Sequence, residues 1–251
     1  MPRLRNAVPT AVALMAALAS PPAALPAPPP TSELVAAYDV YFGGLRAGEL
    51  TVAASFGAGD YRADATFRGR GIIGLFMDTE LEAETVGRLE AGALVPIRFR
   101  SLEREAGREK RRIEVTFTAD RPQAVRAAPP FPKRPWSIDP RQQKGTTDPL
   151  SAIIALLLPQ SPAEVCGQRL EAFDGRRRFA FDLEPAADVR GHVRCDGIYL
   201  RLAGFSPRKM KRDRARIPFT LHFRTRADGT SEVVRLVGDT RYGTVVMKLR
   251  R

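Results

Sequence analysis

The sequence predicts a mainly β protein in which a strongly curved antiparallel sheet, or open barrel, wraps around one short buried helix. Three observations support this fold class. Segments in which apolar and polar residues alternate recur along the 251 residues, and glycine-containing turns separate several of them. Hydrophobic residues make up 44% of the chain, enough for a core. One segment, 149–158, is apolar on all sides, as expected of a buried helix.

The N-terminus predicts export. Arg3 and Arg5 precede a short apolar stretch, and Ala17-Leu18-Ala19 is a typical signal-peptidase site, so residues 1–19 are expected to be a signal peptide. Pro22-Ala23-Ala24 is a weaker alternative site.

The rest of the chain divides into a short leader and one domain. Residues 20–32 are rich in proline and are expected to form an extended tether without structure of its own. A single β domain is predicted over 33–251. No later stretch is long and apolar enough to span a bilayer, so the sequence predicts a soluble protein of the periplasm.

The first half of the domain is predicted to be an antiparallel meander. Tyr38, Val40 and Phe42 share one face of its first strand, and Gly43-Gly44 is typical of a hairpin turn. Strands are predicted at 34–42, 45–56, 61–67, 75–86, 94–102 and 111–118.

A long connection is predicted over 119–146. Its six prolines argue against regular structure, and long connections in compact domains are usually functional or disordered. Phe131, Trp136 and Ile138 indicate that parts of it pack against the body of the domain.

The helix that follows has clear boundaries. Asp148 is a suitable N-cap, Pro149 fits the first helical position, and Pro159 ends the run. The sheet is expected to wrap around this helix.

After the helix the sheet is predicted to resume with a hairpin at Asp174-Gly175. Pairing Phe173 with Arg176 places Cys166 and Leu183 on its apolar face. Further strands are predicted at 193–202, with a bulge at Asp196-Gly197, and at 217–225, 232–237 and 244–249.

Cys166 and Cys195 are the two cysteines of the chain, and in an oxidising compartment they predict one disulfide. Both point toward the core in the predicted registers, so their Cα atoms should lie about 5–6 Å apart. Two buried free thiols are the alternative.

The segment 69–74 matches a G-x-G-x-x-G nucleotide motif, but a strand pattern rather than a helix follows it, which argues against a nucleotide site. A glycine-rich strand corner is one interpretation. The other is a mobile loop that gates a cavity or touches a membrane. Its apolar tip would be formed by Ile72, Ile73, Leu75 and Phe76.

The sequence contains no G-x-S-x-G elbow, no H-E-x-x-H helix and no P-loop. His192 and His222 have no metal-ligand neighbours at suitable spacing. The carboxylates of Asp78, Glu80, Glu82 and Glu84 share one strand face, which is more typical of a solvated surface than of paired catalytic acids. We therefore expect no catalytic residue, no metal and no cofactor.

The net charge of +12 permits anionic partners. The densest basic segment is either a solvated loop or a contact for an anionic surface, and it contains Arg208, Lys209, Lys211, Arg212, Arg214 and Arg216. Nucleic acid is not expected, because the segment lacks interleaved aromatic residues for stacking.

Four segments resemble domain-of-unknown-function family 3108, an uncharacterised family of exported bacterial proteins. They are 38–48, 148–152, 173–177 and the strand that contains Cys195. The similarity extends from about residue 34 to the C-terminus and implies a fold but no catalytic residues. The architecture also looks like that of periplasmic lipoprotein carriers, in which a curved sheet encloses an apolar ligand.

Three functions follow as hypotheses. The first is a non-enzymatic envelope protein that binds an apolar or lipid component in its concavity. The second is a structural or interaction protein that uses a basic surface and has no small ligand. The third, an exported hydrolase, has no support in the sequence. An unfilled apolar cavity would favour the first hypothesis, and a concavity filled by the helix would favour the second.

Overall fold

The computed structural model describes residues 32–69, 79–189, 192–212, 215–241 and 243–250. These residues contain fourteen strands in one antiparallel sheet. The first seven are β1 (Ser32–Phe42), β2 (Leu45–Phe56), β3 (Asp60–Gly69), β4 (Thr79–Glu90), β5 (Ala93–Glu105), β6 (Arg108–Thr118) and β7 (Arg121–Ala128). The others are β8 (Arg169–Phe173), β9 (Arg178–Leu183), β10 (Ala187–Val189), β11 (His192–Ala203), β12 (Arg216–Thr225), β13 (Ser231–Thr240) and β14 (Gly243–Leu249).

The sheet is nearly closed into a barrel, as the sequence predicts. Its strand order is β7-β6-β5-β4-β3-β2-β1-β14-β13-β12-β11-β9-β8, and β10 pairs with β11. Strands β1 and β14 lie side by side, with Tyr38 opposite Leu249, so the two ends of the domain meet in the middle of the sheet. This leaves β7 and β8 as the edge strands.

Part of the edge of β8 is covered by the segment before the helix. The N–H of Thr147 donates to the carbonyl of Glu171, and the N–H of Phe173 donates to the carbonyl of Thr147. These two bonds form a short parallel bridge that protects an edge otherwise open to pairing.

Helix α1 (Pro149–Leu157) lies in the concavity of the sheet and is one residue shorter than the predicted helix. The carboxylate of Asp148 accepts hydrogen bonds from the N–H groups of Leu150 and Ser151, which satisfies two donors at the helix start. Leu150 and Ile154 pack into the core on the β2–β6 side. Leu156 packs into the core beneath β12 and β13.

The prediction that 119–146 lacks regular structure is wrong for its first part, because 121–128 is strand β7. Pro122 is compatible with this strand for two reasons: β7 is an edge strand, and Pro122 lies where its register with β6 is irregular. The remaining prolines follow the strand. A 3-10 helix at Pro140–Gln142 is the other regular element of the segment.

The predicted register of the β8–β9 hairpin is wrong by two residues, since Phe173 pairs with Arg178 rather than with Arg176. The carboxylate of Asp174 accepts hydrogen bonds from the N–H groups of Arg176 and Arg177, which stabilises a four-residue loop in place of a two-residue turn. A shift of two leaves each side chain on its predicted face.

The bulge predicted at Asp196-Gly197 is also absent. Pairing of β11 with β12 is continuous from Arg194 to Leu200. The irregularity in β11 lies instead between Arg201 and Ala203, in its pairing with β9.

The predicted disulfide is present between Cys166 and Cys195, with a Cα–Cα distance of 5.9 Å. Both residues are buried, with exposed fractions of 5% and 1%. Cys166 follows the short helix α2 (Pro162–Val165) as its C-cap instead of extending β8. The bond therefore ties the connection after α1 to strand β11.

Candidate ligand-binding cavity

A cavity of about 490 Å³ lies between helix α1 and the inner face of β2–β6. Its walls combine apolar side chains with a few polar ones. From the strands it is lined by Leu50, Ala65, Phe67, Leu81, Ala83, Phe99, Ser101, Glu103, Arg111, Ile113 and Phe179, and from the helix and loops by Phe131, Pro149, Leu150, Ile153, Asp174, Arg176 and Arg177.

The strand registers order this wall into layers. At the deep end Thr85 pairs with Phe99, and Phe99 pairs with Val115. Thr85 and Val115 are completely buried. The deep layer is thus closed to solvent and largely apolar.

Polarity increases toward the other end of the strands. In the next layer Ala83 pairs with Ser101, and Ser101 pairs with Ile113. In the third layer Leu81 pairs with Glu103, and Glu103 pairs with Arg111. Leu81 is 42% exposed, so this layer forms the rim through which the cavity opens.

Two arginines from distant parts of the chain meet at this rim. Arg111 belongs to β6, and Arg176 belongs to the β8–β9 loop. Their guanidinium carbons lie 4.7 Å and 5.3 Å from the ring centroid of Phe131. Phe131 thus holds both cations at the cavity mouth by cation–π contacts.

A third arginine, Arg177, lines the same mouth, with its guanidinium carbon 5.4 Å from the ring of Phe205. Burial lowers the pKa of Arg176, and the like charges of Arg177 and Arg111 lower it further. The rim is therefore a place where positive charges are crowded together.

The acidic groups of the rim already have partners. Glu103 forms an ion pair with Lys110 at 3.0 Å. Asp174 accepts the backbone N–H groups of Arg176 and Arg177. Among the residues that the structure describes, no ion pair neutralises Arg111, Arg176 or Arg177.

A buried polar cluster connects α1 to the sheet beside the deep end of the cavity. Thr85 donates a hydrogen bond to Asp148 at 2.9 Å, and the hydroxyls of Tyr61 and Ser151 lie 2.6 Å apart. Burial raises the pKa of Asp148, and the hydrogen bonds from Ser151, Thr85 and Leu150 oppose this effect. Because its members bond to one another, the cluster fixes the position of the helix.

The predicted apolar gate lies outside the described residues, since Ile72, Ile73, Leu75 and Phe76 fall within 70–78. The chain enters and leaves this segment at the ends of β3 and β4. Phe67 and Leu81, which pair with each other near these ends, line the cavity.

The basic segment lies apart from the cavity. The sequence predicts a solvated loop or a contact for an anionic surface here. Instead of a loop, residues 207–212 form the short helix α3 (Pro207–Arg212). Pro207 occupies its first position, and the N–H of Lys209 donates a hydrogen bond to Ser206 Oγ. Exposed basic residues are Arg208, Lys211, Arg212 and Arg216, whereas Lys209 is half-buried. Arg214 is outside the described residues.

The acidic strand face points away from the cavity. Glu80 pairs with Arg68 at 2.7 Å, Glu84 pairs with Arg62 at 3.2 Å, and Glu82 pairs with Arg104. Cross-strand ion pairs of this kind belong to the outer surface of a sheet. Asp78 is not among the described residues. Of the two histidines, His222 lies in β12.

The sequence patterns do not predict the rim arginines. Arg111, Arg176 and Phe131 are far apart in sequence, and each stands in a segment rich in other arginines or prolines. One local pattern did indicate where Arg111 points. Side chains alternate between the two faces of β6, which places Arg111 on the same face as Ile113 and Val115.

No helix in the described part of the chain has the length and hydrophobicity needed to cross a membrane.

Comparison with known proteins yields a family and a structural likeness. No curated protein matches the chain. The chain is similar to a solved structure, the crystal structure of a beta-barrel-like protein of domain of unknown function DUF1849 from Brucella abortus. The two share 15% sequence identity and a TM-score of 0.48, and the similarity covers 86% of this chain and 95% of that one. The model of DUF3108, a family of proteins of unknown function, matches residues 37–250, so the chain belongs to that family.

Proposed function

We propose that this is a non-enzymatic, exported protein of the cell envelope that binds an apolar component, such as an acyl chain, in the cavity between α1 and β2–β6. The observation that carries the proposal is the space left in the concavity. Helix α1 fills the deep end, yet about 490 Å³ remains next to Pro149, Leu150 and Ile153.

The size and lining of this space fit a small ligand. Ligand pockets in proteins have volumes of about 300–1,000 Å³ and are mainly apolar, with a few polar groups that orient the ligand. Here the walls are formed mainly by leucine, alanine, phenylalanine and isoleucine, and the charged groups are gathered at the rim.

Export is supported by the disulfide. Bonds between buried cysteines persist in oxidising compartments such as the periplasm and are rare in the cytosol. The Cys166–Cys195 bond thus agrees with the signal peptide expected at 1–19.

The second hypothesis, an interaction protein without a small ligand, predicts a concavity filled by the helix. The remaining cavity favours the first hypothesis instead.

The test is recovery of a ligand. The protein is unfolded, stripped of lipid, refolded and incubated with an extract of bacterial envelopes, and it is then isolated again and analysed by mass spectrometry. We expect an apolar ligand at about one molecule per protein. Repeated recovery of ligand-free, folded protein would contradict the proposal.

Matched variants locate the binding site. Ala65 and Ala83 pair with each other and line the cavity, so Ala65→Leu and Ala83→Leu should reduce ligand recovery by filling it. Ala53→Leu adds the same side chain at an exposed position of β2 and should leave recovery unchanged. Thermal unfolding of each variant distinguishes a filled cavity from a failure to fold.

A further inference from the structure

We infer that the rim arginines Arg111, Arg176 and Arg177 bind the anionic head group, a carboxylate or a phosphate monoester, of a single-chain amphiphile whose apolar chain lies in the cavity. This rests on the proposed function and adds to it the chemistry of the polar end of the ligand.

The first argument is the position of the three cations. They lie at the open end of the wall, two layers from the buried layer that contributes Phe99 to the cavity. An amphiphile that enters with its chain first therefore leaves its head group beside Arg111, Arg176 and Arg177.

The second argument is that these guanidinium groups retain hydrogen-bonding capacity. A guanidinium carries five N–H donors in a planar arrangement that matches carboxylate and phosphate oxygens. Arg111 uses one donor, from Nη1 to the carbonyl of Pro129 at 2.8 Å. In the described part of the chain, no side-chain hydrogen bond engages Arg176 or Arg177.

The third argument is electrostatic. Three cations at one cavity mouth repel one another. Of the two neighbouring carboxylates, Glu103 forms an ion pair with Lys110, and Asp174, whose Oδ1 accepts backbone N–H groups, offsets only part of the repulsion at Arg176. An oxyanion between the guanidinium groups relieves this repulsion and forms charge-assisted hydrogen bonds. A neutral hydroxyl group can accept a hydrogen bond from a guanidinium, but it brings no negative charge to relieve the repulsion.

Phe131 makes the arrangement specific. Its ring contacts both Arg111 and Arg176, so it holds side chains from β6 and from the β8–β9 loop next to each other. These cation–π contacts position the two guanidinium groups at the cavity mouth.

The experiment compares chain-matched ligands. Binding of laurate, lauryl phosphate and lauryl alcohol to the delipidated protein is measured by isothermal titration calorimetry. Concentrations stay below those at which the two anions form micelles and below the solubility limit of the alcohol. We expect each anion to bind about tenfold or more tightly than the alcohol, because an oxyanion accepts charge-assisted hydrogen bonds and also offsets the positive charge of the rim, whereas a hydroxyl group adds no charge. The ratio of laurate to lauryl phosphate identifies which oxyanion is preferred.

Variants assign the effect to the rim. The double variant Arg111→Gln, Arg176→Gln should lose about tenfold in affinity for the anions and should bind the alcohol as the wild type does. Arg88→Gln removes an arginine that pairs with Glu90 on β4, away from the cavity. It should change neither the affinity for the anions nor the affinity for the alcohol.

The outcomes separate the two proposals. If the alcohol and the anions bind the wild type equally well, the head-group inference is overturned while the cavity proposal stands. If none of the three binds to folded protein, the cavity proposal fails and the inference fails with it. Loss of alcohol binding in the double variant also counts against the inference, since it indicates damage to the apolar cavity.

Discussion

Gly175, at the tip of the β8–β9 hairpin, lies against Ile113 of β6. A Cβ atom added at Gly175 would be 2.8 Å from Ile113 Cγ2 and 3.2 Å from Val115 Cγ2. These strands stand at or beside opposite edges of the sheet, so the barrel is closed here by side-chain packing rather than by backbone hydrogen bonds. The same contact positions Arg176, the next residue, at the cavity mouth.

Gly175→Ala should therefore destabilise the protein by about 2–4 kcal/mol. The residue has a φ of 92°, which favours glycine, and the added methyl group would collide with β6. Gly229→Ala is the control, because Gly229 has a φ of 83° but nothing within 4 Å of the added Cβ. Gly229→Ala should cost only about 1 kcal/mol. If urea denaturation shows that both variants lose the same free energy of unfolding, Gly175 is not a contact that closes the barrel.

Loss of the disulfide should have a comparable effect. Cys195→Ser opens a loop between cysteines separated by 29 positions and should lower the free energy of unfolding by about 2–5 kcal/mol. Wild-type protein denatured in a reducing agent should lose stability to a similar extent as the Cys195→Ser variant. A thiol titration of unfolded, unreduced wild type should find no free thiol, and two thiols per chain would disprove the bond.

The hydrogen bonds of Asp148 predict a difference between two substitutions. Asp148→Ala removes the acceptor for the N–H groups of Leu150 and Ser151 and for the hydroxyl of Thr85, all buried, and should cost about 2–4 kcal/mol. Asp148→Asn keeps one oxygen for the two N–H groups and should cost less than half as much.

Urea denaturation of both Asp148 variants at neutral pH measures the difference. Burial disfavours the charged form of Asp148 and so raises its pKa, whereas a neutral amide has no charged form to desolvate. Equal destabilisation by alanine and asparagine would contradict the capping role.

The local elements could be predicted from the sequence because their signals are local. Asp148 and Pro149 define a helix start whatever surrounds them, and alternation along 45–56 or 217–225 indicates which side chains face inward. Closure of the sheet was predictable only in outline, because the pairing of β1 with β14 joins the two ends of the domain.

The remaining features depend on contacts that no local pattern records. Pro122 argued against a strand, yet the edge position of β7 tolerates it. The Asp174-Gly175 signal indicated a two-residue turn, and the carboxylate of Asp174 stabilises a longer loop. The meeting of Arg111 with Arg176 at Phe131 follows from barrel closure and could not be predicted from spacing.

Two buried tyrosines, Tyr38 and Tyr61, and the half-buried Tyr199 predict how stability depends on alkaline pH. Burial raises the pKa of Tyr38, and the charge of Glu232 adds to this effect. Burial also raises the pKa of Tyr61, with a contribution from Asp148, and raises that of Tyr199 to about 12. In the unfolded chain a tyrosine has a pKa of about 10.

The native state therefore holds these protons more tightly than the unfolded state does. Their contribution to stability is complete below about pH 10 and is lost as the pH rises toward the folded pKa values, because the unfolded state binds fewer protons there. Each hydroxyl steepens the fall of the unfolding free energy by up to about 1.4 kcal/mol per pH unit.

These slopes are measured by urea denaturation from neutral pH to about pH 11. The proteins compared are the wild type and the variants Tyr38→Phe, Tyr61→Phe and Tyr199→Phe. Each variant should show a shallower alkaline decline than the wild type, whatever constant stability it loses at neutral pH. Parallel declines in all four proteins would mean that these hydroxyls titrate alike in the folded and unfolded states.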